Sequence, residues 1–142
     1  MVAHRLKIQL PIVAGFFALG AFVSPYMALA TLNYIMMIAA IRVVNTNRSM
    51  HKTLMSLAVA SDISLVLILE WQRHAVNTVV GMELGAVQMV HVGTSLAAIL
   101  LYIPAIGLGL SGGGRVHRAV GYTAFAFRTA GFLTMFSMYT RL

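Results

Sequence analysis

Apolar positions gather into five runs along the chain, separated by short polar stretches: residues 8–24, 26–44, about 50–71, 85–110 and about 119–139. An α-helix rises about 1.5 Å per residue and a bilayer core is about 30 Å thick, so each of the last four runs is long enough to cross a membrane. The polar stretches read as connections. NTNRSMHK (45–52) carries Asn and Ser suited to helix capping, a second loop runs from Gln72 to about Leu84, and SGGGRVHR (111–118) is flexible and basic. The pattern predicts an all-α integral membrane protein, a four-helix transmembrane bundle over 25–142 with an additional N-terminal hydrophobic helix over 1–24.

The first run needs separate treatment. His4, Arg5 and Lys7 precede it and Ala28-Leu29-Ala30 follows it, which resembles a secretory signal peptide. Cleavage after Ala30 would leave the second run too short to span. The expectation is therefore a retained helix, either a short span or a segment oblique in the membrane, with Pro25 breaking or kinking the chain behind it.

Two spans carry charge where charge is costly. In MHKTLMSLAVASDISLVLILEWQRH (50–74), eleven residues separate His51 from Asp62; in HRAVGYTAFAFR (117–128), eleven separate His117 from Arg128. At about 100° per residue that spacing is three turns plus roughly 20°, so each pair shares a helix face. Asp62 and Arg128 are expected at similar depth and are predicted to pair as a structural ion pair, since an unpartnered charge inside a membrane is expensive. The same geometry predicts that His51 faces His117. On the other side, His74 closes one span and His91 opens the next, giving a second predicted pair. Gln88, His91, Ser95 and Tyr102 form a polar stripe at helical spacing that should face protein rather than lipid.

Composition agrees with the pattern. The chain of 142 residues is 60% hydrophobic and 9% charged, with a mean hydropathy of +0.88, well outside the soluble globular range. The absence of Cys excludes disulfides, thiolate metal sites and cysteine-attached haem. The net charge of +7 comes from basic residues scattered over short loops, not from a basic face, so nucleic acid is not an expected partner. With a cytoplasmic N-terminus, seven of the Lys and Arg residues fall on the cytoplasmic side (Arg5, Lys7, Arg42, Arg48, Lys52, Arg115, Arg118) and two on the other (Arg73, Arg141). Tyr26, Trp71 and Tyr139 then lie at the outer interface. The expected location is a membrane crossed several times, with lipid as the immediate partner.

The candidate chemistry rests on the four paired histidines, His51 with His117 and His74 with His91. Haem iron accepts two axial imidazoles, and helical bundles build such sites from facing helices. Haem b, as one or two groups, is the expected cofactor. Arg48, Lys52, Arg115 and Arg118 are placed to hold propionates, although topology alone accounts for them. Copper is the alternative, with Met50 and Met89 as soft neighbours among ten Met; a protein with no cofactor is the third case. No phosphate loop, no GxSxG and no carboxylate pair is present, so no catalytic residue is assigned and enzymatic activity is left open. GMELG (81–85) matches a short close-packing spacing.

Pro25…Leu32-Asn33, His51-Lys52-x-x-Met55, Arg73-His74, Val90-His91 and Val116-His117-Arg118…Gly121 together resemble the CtaM-like family of small four-helix bacterial membrane proteins, over about residues 25–142. Some members are linked to maturation of haem-copper terminal oxidases. The resemblance implies that the membrane is a bacterial inner membrane and that His51, His74, His91 and His117 handle haem or copper. The apolar segment 1–24 is extra to the family pattern, and Arg128 stands where an apolar residue is usual. The expectation is a haem- or metal-handling protein of a respiratory or other energy-transducing membrane, either a maturation factor or a redox subunit of a larger complex. The alternative is a cofactor-free structural or assembly subunit.

Overall fold

A computed structural model describes residues 15, 18, 24–73, 81 and 84–138. The N-terminal hydrophobic helix expected over 1–24 therefore lies almost wholly outside the described residues, as do His74 and Tyr139. Among the described residues every regular element is helical: α1 (Pro25–Val43), α2 (Arg48–Arg73), α3 (Ala86–Leu110), α4 (Arg115–Thr134) and a terminal 3-10 turn, Met135–Met138. Three of these helices, Pro25–Val43, Arg48–Gln72 and Ala86–Leu110, are long and apolar enough to cross a membrane. Their surfaces agree with that reading. On α3, Leu96, Leu100, Ile103 and Leu110 are all exposed, a continuous apolar stripe that hydrocarbon tolerates and water does not.

The chain divides into two compact units, the boundary falling between Leu65 and Val66 inside α2. The first unit holds a helical hairpin of α1 and the first part of α2. Ser24 caps α1 by accepting the Tyr26 N–H (3.2 Å), and Pro25 occupies the first helical position. Proline suits that site because its missing N–H has no intrahelical acceptor there, so Pro25 opens a helix instead of kinking one. The turn between the helices is short: Asn47 accepts the Met50 N–H through its side chain (2.9 Å) and starts α2 at Arg48. Two contacts set the direction of the helices. His51 meets Ala40 and Asp62 meets Asn33, so positions advance along α2 as they retreat along α1. The hairpin is antiparallel.

The second unit contains an antiparallel hairpin of its own, α3 with α4. His117 meets Ala105, His91 meets Gly131, and Gln88 meets Ser137 in the terminal turn. Its loop is shorter than the sequence pattern suggested. Gly112, Gly113 and Gly114 all take positive φ, a region open to glycine at little cost, and they complete the reversal within Ser111–Gly114. Arg115 to Arg118, expected in the loop, are the first turn of α4. Pro104 lies inside α3 and removes the N–H that would bond the Leu100 carbonyl.

Candidate functional site

In the first hairpin the two residues singled out by their eleven-residue spacing do share a face, because both engage α1. Nδ1 of His51 lies 2.9 Å from the Ala40 carbonyl oxygen. Three turns further on, Oδ1 of Asp62 accepts a hydrogen bond from Nδ2 of Asn33 at 3.3 Å. Asn33 is 1% exposed and Asp62 3%, so this is a buried polar contact at mid-helix. Asn33 was not assigned to the site from the sequence. The signal was there, since an amide in the middle of an apolar run demands a partner as an acid does.

The second hairpin repeats the histidine arrangement. Nδ1 of His117 lies 3.0 Å from the Ala105 carbonyl oxygen. The α3 backbone is bare where it passes the ring: a Cβ built on Gly109 would sit 3.1 Å from Cε1 of His117, and one on Gly113 would sit 3.8 Å from Cδ2. Residues 105, 109 and 113 recur every fourth position, so one edge of α3 and its following turn holds the imidazole. Eleven residues after His117, Arg128 is buried at 6% exposure. Among the described residues its Nε finds no hydrogen-bond acceptor.

His91 sits towards the opposite end of the same hairpin. Its Nδ1 lies 2.7 Å from the Gly131 carbonyl and 3.5 Å from Oγ1 of Thr134. The carbonyl of Gly131 also accepts from Oγ1 of Thr134 at 3.2 Å. At the end of α4 the Met135 N–H turns to Phe132, so it no longer serves Gly131 in the α-helical manner. Around His91 the predicted polar stripe faces α4 as expected. Gln88 accepts the Gly85 N–H (2.9 Å) and donates to the Ser137 carbonyl (3.0 Å), Ser95 packs on Gly131, and Tyr102 is buried.

One chemical feature unites His51, His91 and His117. A carbonyl oxygen can only accept, so in each ring Nδ1 must carry the proton. In the neutral imidazole the lone pair then resides on Nε2. That tautomer, locked by an Nδ1–H to backbone carbonyl bond, is how proteins commonly prepare histidine to bind a metal through Nε2. A neutral imidazole in this state can coordinate haem iron or a metal ion through Nε2. Among the described residues no group of three or more His, Asp or Glu side chains is placed to hold an ion.

Elsewhere in the second hairpin, an open groove is lined by Thr94, Tyr122, Thr123, Ala126, Phe127 and Ala130. Its threonine hydroxyls turn back to their own helices, Thr94 to the Val90 carbonyl and Thr123 to that of Ala119. The groove presents methyl groups and aromatic rings, with no convergent polar groups to work on a substrate. No family model, curated protein or solved structure matches the chain.

Proposed function

We propose that this chain is a haem-handling protein of a bacterial energy-transducing membrane, in which histidines present Nε2 to haem b. The observation that carries the reading is the shared state of His51, His91 and His117, each with Nδ1 bonded to a carbonyl of the adjacent helix. In each, that bond leaves the lone pair of the neutral ring on Nε2, the atom that would meet the iron. Bound haem supplies one-electron chemistry or is itself the cargo; the chain's own residues bind it, fix the ring planes and exclude water. Arg48, Lys52, Arg115 and Arg118 are all exposed within three residues of His51 or His117, which suits carboxylate partners such as propionates.

In this proposal α4 is a fourth span, about 30 Å long for its 20 residues, which completes the four-helix transmembrane architecture. The N-terminus is cytoplasmic, His74 supplies a further ligand, and the protein works beside a haem-copper oxidase or a comparable complex, the partner that the resemblance to the CtaM-like family implies. A maturation factor releases haem readily, whereas a redox subunit keeps it in stoichiometric amount through purification.

A second reading is favoured by the same hydrogen bonds seen as braces. Each ties one helix to its neighbour, and that of His91 also satisfies the end of α4. In a cofactor-free assembly subunit nothing more would be needed.

A dithionite-reduced minus oxidised spectrum of the purified protein, with pyridine haemochrome quantitation, separates the two. Sharp b-type bands are expected, and the losses in His51→Ala, His74→Ala, His91→Ala and His117→Ala identify which imidazoles share an iron. A flat spectrum after growth with haem supplied, together with no uptake of added haemin, refutes the haem reading in favour of the brace.

A further inference from the structure

We infer that Gly109 is a positioning residue for His117, its missing side chain holding the imidazole in the orientation and tautomer that present Nε2; this rests on the reading of His117 as a ligand. Three constraints on the ring come from one edge of α3. The Ala105 carbonyl takes the Nδ1 proton at 3.0 Å. Gly109, one turn later, faces the ring so closely that a Cβ there would stand 3.1 Å from Cε1, 3.5 Å from Nδ1 and 3.8 Å from Nε2. Gly113 approaches Cδ2 from the turn, where a Cβ would reach 3.8 Å.

A methyl group at position 109 leaves the backbone out of the left-handed region, and the three atoms it meets most closely all belong to this ring. Nonbonded carbon atoms settle at about 3.5–4.0 Å, so the imidazole has to move by several tenths of an ångström. Movement away from Gly109 draws Nδ1 from the carbonyl that fixes its proton. Once that bond lengthens, the preference for the Nδ1–H tautomer weakens and the lone pair is no longer held on Nε2.

The same helix supplies a control. Gly107 is two residues away, and a Cβ built there meets nothing within 4 Å. Gly107→Ala and Gly109→Ala thus make the same chemical change in the same turn, and only one of them touches the histidine.

The test uses the full chain in nanodiscs with isotope-labelled histidine. Imidazole nitrogen and Cδ2 shifts report the His117 tautomer without cofactor; dissociation of added haemin and the low-spin ferric EPR signal report ligation. Wild type and Gly107→Ala are expected to show the Nδ1–H form. Gly109→Ala is expected to show a mixed or reversed tautomer, haemin release faster by about tenfold or more, the scale on which groups that orient a ligand act, and an altered EPR signal. Native-like His117 shifts in Gly109→Ala overturn the inference, as does an Nε2–H form in the wild type, whatever the variants do. If the tautomer responds as expected but no variant and not the wild type binds haemin, Gly109 still positions His117 and the functional reading fails by itself.

Discussion

The contact between Asn33 and Asp62 allows the first hairpin to be tested by number. Both residues are almost fully buried, and Nδ2 of Asn33 lies 3.3 Å from Oδ1 of Asp62. In a water-soluble protein a hydrogen bond to a charged group contributes about 1.5–3 kcal/mol. Two considerations lower that figure here. Side-chain hydrogen bonds inside membranes average about 0.6 kcal/mol and reach about 1.7, because the unfolded chain in the bilayer also finds partners. The separation also exceeds the roughly 2.7–2.9 Å of a strong charge-assisted bond. A coupling of about 0.6–1 kcal/mol follows.

The perturbation is a double-mutant cycle of Asn33→Leu, Asp62→Leu and the two together. Asp62 has other interactions, and removing it alone mixes their loss with that of the amide; the cycle cancels every term that does not involve both residues. Unfolding by a denaturing detergent in mixed micelles, followed by helicity, reads the four free energies. The single changes should each destabilise, and the pair should cost less than their sum by the coupling energy. Additivity to within about 0.3 kcal/mol, the precision at which independent sites add, would show that the two side chains do not interact and that α1 and α2 are not in the register described.

Three further outcomes follow from the structure. Gly131→Ala places a Cβ 2.6 Å from Oγ of Ser95 and should destabilise by about 1–3 kcal/mol as an overpacked contact, whereas Gly121→Ala meets nothing within 4 Å and should be neutral or stabilising; equal stabilities in the detergent titration would refute the close approach. Ser95→Gly in the Gly131→Ala background should return most of the loss. Ser24→Ala removes the side-chain acceptor of the Tyr26 N–H and should cost about 1 kcal/mol, with local hydrogen exchange rising in the first turn of α1; unchanged exchange there would show the cap to be idle.

The residues differ in how far the sequence disclosed them, and the reasons are physical. The existence of the four helices follows from apolar run length, because a backbone in hydrocarbon must bond to itself. The sequence pattern starts α4 four residues too late because Arg115 to Arg118 look like loop composition, yet it is Gly112 to Gly114, not the cations, that turn the chain. The face shared by His51 and Asp62 follows from helical periodicity. Their partners do not: the carbonyls of Ala40, Ala105 and Gly131 have no sequence signature, since every residue carries one. The stripe of Gln88, His91, Ser95 and Tyr102 was legible, because polar side chains in an apolar helix have to face protein.

The two hairpins follow one plan, and the plan ranks the histidines. A shift of sixty-six positions carries His51 to His117, Lys52 to Arg118, the buried Ala58 to the buried Ala124, and the buried Asp62 to the buried Arg128. In each hairpin the histidine bonds through Nδ1 to an alanine carbonyl on the preceding helix, eleven residues upstream in one and twelve in the other. The repeated element is therefore an imidazole of fixed tautomer near the loop, followed three turns later by a buried charge. Its sign is reversed between the copies. Asp62 has Asn33 beside it, while the same shift from Asn33 reaches the apolar Ile99. His91 falls outside the plan, because its counterpart under the shift is Pro25, the first residue of α1. Whatever the repeated element does belongs to His51 and His117 in equal measure, and His91, which also closes the end of α4, adds something confined to the second hairpin. Substitutions at the first two positions should therefore resemble one another more than either resembles a substitution at the third.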